Sequence, residues 1–172
     1  MGTGRFAGEL GIQVGIDPSR NMLRRARERG ISIAGATAEA LPFGDHTFDI
    51  CLVVTTICFV DDASDMLKEA FRVLKPGAVL AVGLIDRDSL LGQQYLAQQS
   101  ESVFYREATF FSVAEVAALL ADAGFTELNW VQTLFTAPSE NAVDEPTRPG
   151  FGEGSFVAVS AIRPRQRRSP QR

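Results

Sequence analysis

The sequence predicts an α/β fold: a Rossmann-like, mostly parallel sheet with helices on both faces and an antiparallel pair of strands at its end. Three observations predict it. Short, nearly continuous apolar runs such as "FDICLVVTT" and "AVLAVGLI" alternate with stretches of helical period, the pattern of strands buried on both faces and covered by crossover helices. The helical stretches are bracketed by start and stop residues. Two late runs, "TELNWVQTLF" and "GSFVAVSAI", flank a Pro/Gly-rich loop at 136–154, which suits an antiparallel closure.

In chain order, "IQVGID" is apolar with a β-branched bias and reads as a strand. It runs into "PSRNMLRRARERG", where Pro18 suits a first helical turn and Gly30 a stop. "ISIAGA" is a second strand, and "FDICLVVTT" is a third that the pattern makes fully buried. In "ASDMLKEAFRVLKPG", Met66, Leu67, Ala70, Phe71 and Leu74 form the inner stripe of a helix that "KPG" ends. "AVLAVGLI" follows as a buried strand, and residues 86–110 read as an inserted helix and loop. In "FSVAEVAALLADAGF", Ser112 and Glu115 have the capping-box spacing, Phe111 can staple onto Val116, and Gly124 ends the helix.

The 172 residues, 45% hydrophobic and 22% charged, suit one globular domain, placed at 1–162. The net charge is −4, yet the last ten residues hold five arginines and no acid, so residues 1–162 carry −9. Residues 163–172 are therefore expected to be a basic, disordered tail. An acidic body and a tail without aromatic interleaving argue against nucleic acid as a partner. No run reaches membrane-spanning length and no secretory pattern opens the chain, so a cytoplasmic protein is expected. Cys51 and Cys58 read as small core residues, and with His46 the single histidine no zinc set is assembled.

Ligands of such sheets bind beyond the carboxyl ends of the strands, so residues just after each strand are the candidates. Gly2, Thr3 and Gly4 form a loop whose backbone can approach a ligand closely, although a glycine pair also makes a simple turn. Asp17 ends its strand where a carboxylate can accept ribose hydroxyls, or cap the helix that opens at Pro18. Thr37, Ala38 and Glu39 leave the next strand end, with Leu41, Pro42 and Phe43 as an apolar wall for a purine, or as an ordinary loop. Thr55 and Thr56 put hydroxyls at the end of the most apolar strand, where threonine is also commonly structural.

The order "GTGRFA", "GID", "AEALPF", "FD", "FRVLKPGAVLAV" resembles the class I S-adenosylmethionine-dependent methyltransferases, in particular the small-molecule branch. The resemblance covers residues 2–85 well and the later strands loosely. It implies S-adenosylmethionine as cofactor and a small-molecule methyl acceptor as partner. By position, Gly2, Thr3 and Gly4 face the methionine end, Asp17 with Pro18 behind it the ribose, and Thr37, Ala38 and Glu39 the adenine. Thr37 stands where many members carry an acid, and "TTICFVDD" where many have a histidine. Family members also have a first strand ahead of the glycine loop, central to the sheet. The sequence begins inside that motif, so the chain is expected to lack this strand, between the strands beginning at Ile12 and Phe48. A GTG valine codon taken for a start would explain Met1. Losing about five buried apolar side chains would remove ~8–15 kcal/mol, comparable with the stability of a whole domain.

Methyl transfer from a sulfonium is an in-line displacement, driven largely by positioning and exclusion of water. A base is needed only for a protonated acceptor. Asp86 directly follows a strand and ranks first, with Tyr105, Tyr95 and Arg106 also near the expected crevice. Phe104, Tyr105 and Trp130 are candidates for an acceptor wall, while His46 falls at the opposite end of the sheet. A nicotinamide-dependent oxidoreductase is the enzymatic alternative, since "GTGRFA" fits G-x-G-x-x-A, but no Tyr-x-x-x-Lys pair accompanies it. A truncated, non-catalytic cofactor-binding domain is the other.

Overall fold

The computed structural model describes residues 7, 8, 10–136 and 145–165. Its strands are β1 (Val14–Ile16), β2 (Ser32–Ala34), β3 (Phe48–Val54), β4 (Leu74–Ile85), β5 (Thr126–Thr133), β6 (Arg148–Pro149) and β7 (Phe156–Ile162). The α-helices are α1 (Arg20–Glu28), α2 (Ala63–Val73), α3 (Leu90–Ala97) and α4 (Val113–Asp122). The strands form two sheets. β1 pairs with β2 in parallel, and five strands run in the order β3-β4-β7-β5-β6. β3 and β4 are parallel, while β7 lies antiparallel between β4 and β5. The late antiparallel pair is therefore present, with the last strand inserted rather than added at the edge.

Local sequence explains most elements. The Asp62 side chain accepts the Asp65 N–H at 3.0 Å and caps α2, whose Met66, Leu67 and Ala70 face the core at 2% exposure or less. Leu74, expected on that helix, is instead the first residue of β4, which runs on through "KPG". Lys75, Pro76 and Gly77 fall in the register shift between the Leu74–Phe48 and Val79–Ile50 pairs, where the Gly77 N–H donates to Arg163 O at 2.7 Å. α4 carries the full capping box between Ser112 and Glu115 and ends before Gly124, whose φ of 93° a side chain would strain. Leu80 and Val82 of β4, Val159 of β7, Leu67 of α2 and Val116 and Leu120 of α4 are at most 1% exposed and join one core cluster.

β3 departs from the full burial expected of it: Asp49 and Ile50 are exposed, Ile50 at 46%. One edge of β3 is paired with β4, but the other meets no strand among the described residues. Between it and β1–β2 lies a slot of about 490 Å³, walled by Val14, Ile16, Ile33, Ile50, Leu52 and other apolar side chains. The slot occupies the place where the resemblance puts a central strand. At the far end of the sheet, Arg163, assigned by charge to the tail, belongs to the fold. Its Nη1 donates to the carbonyls of Phe71, Arg72 and Leu74 beyond the last turn of α2, and its guanidinium covers the Phe71 ring at 4.4 Å.

Candidate functional site

Asp17, Ala38, Thr55 and Thr56 line the slot at its carboxyl-end mouth, whereas Phe43, also in the lining, packs on Phe48, the first residue of β3, at 4.9 Å and so lies toward the other end. Asp17 leaves β1 with its N–H donating to Ala34 O at 3.3 Å, and its Oδ1 accepts the Ser19 N–H at 2.7 Å. A carboxylate has about four acceptor positions, so this turn leaves capacity for a diol. Pro18 is exposed, does not line the slot, and precedes Ser19, the N-cap of α1, so it lies just outside the first helical turn where it was expected. Gly2, Thr3 and Gly4 lie outside the described residues.

Of the three residues expected at the adenine, Ala38 alone lines the slot. Thr37 is exposed, and Glu39 reaches away to α2, where Oε1 accepts the Asp61 N–H at 2.7 Å and the Asp62 N–H at 3.5 Å. Burial, the largest single influence, pushes the Glu39 carboxyl upward, but its backbone N–H donors and Thr37 together outweigh it and hold it below the usual range. Glu39 thus fixes the loop rather than facing a ligand.

A second pin comes from α2. Arg72 donates to Phe43 O at 2.8 Å, to Leu41 O at 3.1 Å and to Asp45 Oδ1 at 2.9 Å. Glu69, one turn earlier, takes the Arg72 Nε at 2.6 Å and Nη2 at 2.8 Å, and its Oε2 also accepts the Leu41 N–H at 2.8 Å. The Arg72 hydrogen bond is the main cause that holds the Glu69 carboxyl low. Glu69 and Arg72 are positioning residues for the Leu41–Phe43 wall, and the sequence reading missed them. Their i,i+3 spacing in "EAFR" was the available signal, but it is shared by many helical ion pairs.

Thr55 ends β3 in the left-handed region at φ 51°, rare for a β-branched residue, with its N–H donating to Gly83 O at 2.7 Å. Thr56 Oγ1 donates to Val54 O at 3.1 Å. Thr55 lines the slot and also a second cavity of about 70 Å³ over the ends of β3 and β4. That cavity is walled by Phe59, Tyr95, Tyr105 and Phe110, with Cys58, Ile85 and others below. Tyr95 and Tyr105 stack at 4.9 Å between centroids, Phe59 and Tyr105 at 6.0 Å, and Phe110 tilts against both tyrosines.

The other candidates separate. Asp86 is buried at 6% exposure but lines neither cavity. Its Oδ1 accepts the Asp88 N–H at 3.2 Å and its carbonyl accepts Ser89 Oγ at 2.7 Å, so it builds the turn into α3 rather than serving as a base. Gly92 makes that turn fit, since a Cβ there would lie 2.1 Å from Asp86 O. Phe104 is 68% exposed and Trp130 packs on Phe151 at 5.5 Å, so neither joins Tyr105 in an acceptor wall. Arg106 is exposed. His46 sits at the opposite end as expected, its N–H on Arg72 O and its Nε2 2.8 Å from Arg163 Nη2. Both cysteines are free, their thiols pushed up to about 11 by burial. Among the described residues no cluster suits a metal ion, and no helix is long and apolar enough to cross a membrane.

An α/β framework with an acid after β1 and a crevice at Thr55 is one whose ligands bind beyond the carboxyl ends of the parallel strands. A methyltransferase-domain family model matches residues 1–82. A crystal structure from Thermotoga maritima, of an S-adenosylmethionine-dependent methyltransferase and possible histamine N-methyltransferase, is 50% identical, with TM-score 0.92 over 94% of this chain and 78% of that one. An uncharacterized protein of Methanocaldococcus jannaschii is 42% identical over 162 residues, 94% of this chain and 78% of its own length. A ubiquinone/menaquinone biosynthesis C-methyltransferase of Cronobacter sakazakii is 43% identical over 86 residues, 45% of this chain and 34% of its own. The chain belongs to the S-adenosylmethionine-dependent methyltransferases. It is an enzyme of that family, and S-adenosylmethionine is its cofactor. The slot mouth fits that group: a carboxylate with unused acceptor capacity for a ribose, and the apolar Ala38 in the lining for a purine.

Proposed function

We propose that the protein transfers the methyl group of S-adenosylmethionine to a small-molecule acceptor, with the cofactor across the slot mouth. The observation that carries this reading is that Asp17, Ala38 and Thr55, which follow β1, β2 and β3, line one slot. In it, Asp17 accepts the ribose hydroxyls, while Ala38 and its loop meet the adenine. Gly2, Thr3 and Gly4 carry the methionine end. The cofactor supplies an electrophilic methyl on a sulfonium; the chain contributes alignment of donor and acceptor and a dry crevice. The loop that carries Ala38 is held downstream, at Leu41 and Phe43, by Glu69 and Arg72, so it is in place before the ligand arrives and little ordering cost falls on binding.

The test is a thermal melt with and without S-adenosylhomocysteine. Ligand at 100 times its Kd stabilises the native state by about 2.7 kcal/mol and raises the midpoint accordingly. Asp17→Asn is expected to reduce that shift, because an amide accepts at one atom where the carboxylate accepts at two. A full shift in Asp17→Asn would remove Asp17 from the site.

A further inference from the structure

The small aromatic cavity is unlike the slot beside it. Its walls are Thr55, Ile57, Cys58, Phe59, Leu84, Ile85 and the aromatic rings of Tyr95, Tyr105, Phe110 and Phe111, with no ionised side chain among the described residues that line it. The nearest buried acid, Asp86, is committed to its own turn. The groups that could exchange a proton are the two phenols and the Cys58 thiol. Burial raises Tyr105, with Tyr95 and Cys58 adding to the effect, and burial raises Cys58, so both stay protonated at neutral pH. The Cys58 thiol already donates to Thr55 O at 3.5 Å. Thr55 is common to this cavity and the slot, so a molecule held here lies next to the slot mouth. The volume, about 70 Å³, is under half of the ~150 Å³ that accommodates a benzene ring, which leaves room for a head of about three heavy atoms.

We infer that this cavity is the acceptor pocket and that it takes a slender, uncharged nucleophile whose lone pair is already free, a thioether sulfur or a neutral amine nitrogen. The inference rests on the methyl-donor reading of the slot. The lone pair forms the new bond to the methyl carbon as the sulfonium carbon–sulfur bond breaks, its electrons staying on the donor sulfur. The positive charge passes to the acceptor, and no proton leaves in the transfer. Hydroxyl and thiol acceptors must lose a proton, and a positioned base that contributes about 10²–10⁴ to such reactions is missing from these walls. An ammonium is excluded on the same ground, because its nitrogen has no lone pair until a proton leaves.

Dimethyl sulfide and ethanethiol decide the matter because they are isomers that differ in whether the sulfur carries a proton. The protein is incubated with S-adenosylmethionine and each, with dimethylamine, which reacts only as its unprotonated fraction, as the nitrogen arm, and S-adenosylhomocysteine is measured. Dimethyl sulfide is expected to be methylated to trimethylsulfonium at least about a hundredfold faster than ethanethiol at neutral pH, the low end of what a missing base costs. Its rate is expected to stay level between about pH 6 and pH 9, because its sulfur has no proton to lose. Dimethylamine turnover that rises with pH, without dimethyl sulfide turnover, assigns the pocket to nitrogen and keeps the inference. Faster transfer to ethanethiol, rising with pH, overturns it, as does transfer to none of the three while S-adenosylhomocysteine still raises the melting midpoint. A missing midpoint shift overturns the methyl-donor reading and this inference with it. Ile85→Phe, which fills the cavity, is expected to abolish dimethyl sulfide turnover and keep the midpoint shift; undiminished turnover places the acceptor elsewhere.

Discussion

β4 and β1 are built from the same kinds of residue and end up in opposite circumstances. In β4, Leu80 and Val82 are at most 1% exposed and both strand edges are paired; in β1, Val14 is 39% exposed and one edge is paired, with β2. β3 joins the two situations, since Val53, paired with Val82, is 8% exposed while Ile50 is 46% exposed. A strand's own sequence sets its conformation, but its neighbours set its burial, and burial is what holds a domain together. The consolidated half of this molecule is the five-stranded sheet with α2 and α4. The residues proposed to hold the cofactor sit on the other half and on its boundary.

The sharpest way to break that contrast is hydrogen exchange. Amides of β4 and β7 are expected to exchange through global opening alone, on the scale of the whole domain stability, about 5–15 kcal/mol, whereas β1 and β2 open locally at far lower cost. Equal protection in the two sheets would erase the distinction. Mutation gives a smaller effect of the same sign. Leu80→Ala is expected to lower stability by about 2–5 kcal/mol and Ile50→Ala by ~1 kcal/mol or less, read from urea unfolding midpoints.

The positioning pair sharpens the comparison by linking the two halves through one loop. Arg72→Ala is expected to weaken S-adenosylhomocysteine binding about tenfold, ~1.4 kcal/mol, with little change in midpoint, because the partly exposed ion pair itself stabilises weakly. Arg72→Lys should not rescue it, since an ammonium cannot span the Leu41 and Phe43 carbonyls as the planar fork does. Calorimetry reads both.

The smallest effect is one of pH. Glu39 and Glu69 have lowered carboxyl pKa values in the folded protein, so their contribution to the pinned loop is fully present above the ordinary value of 4.5 and is lost as pH falls through the depressed values. Cofactor affinity is expected to hold steady from about pH 8 to pH 5 and to decline below about pH 4.5. A decline beginning near pH 6 would point to groups other than these two.

Much of the fold was legible because local signals carried it. The capping box at Ser112, the stripe of Met66, Leu67 and Ala70 and the apolar run of β3 each name their own element. The strand-end positions of Asp17 and Thr55 followed from the same reading. What stayed hidden depends on contacts across the chain. Glu39 looked like a ligand group until its reach to Asp61, 22 residues on, was seen, and Arg72 lies 29 residues from Phe43. Asp86 follows its strand as a catalytic acid would, and its role was decided by Ser89 and Gly92 packing against it. Phe59 and Phe110 entered the aromatic cavity because the segment after β4 folds back over Thr55, a path that no periodicity encodes.

Thr55 occupies the partition between the two cavities, in a backbone conformation that few replacements tolerate. Selection for a new acceptor and selection for keeping the donor would therefore act on the same side chain in opposing directions. Drift in substrate range within such a lineage is expected to run through the residues that see one cavity alone, Ile85 and Tyr95 first, and to leave Thr55 fixed as donor and acceptor requirements diverge around it.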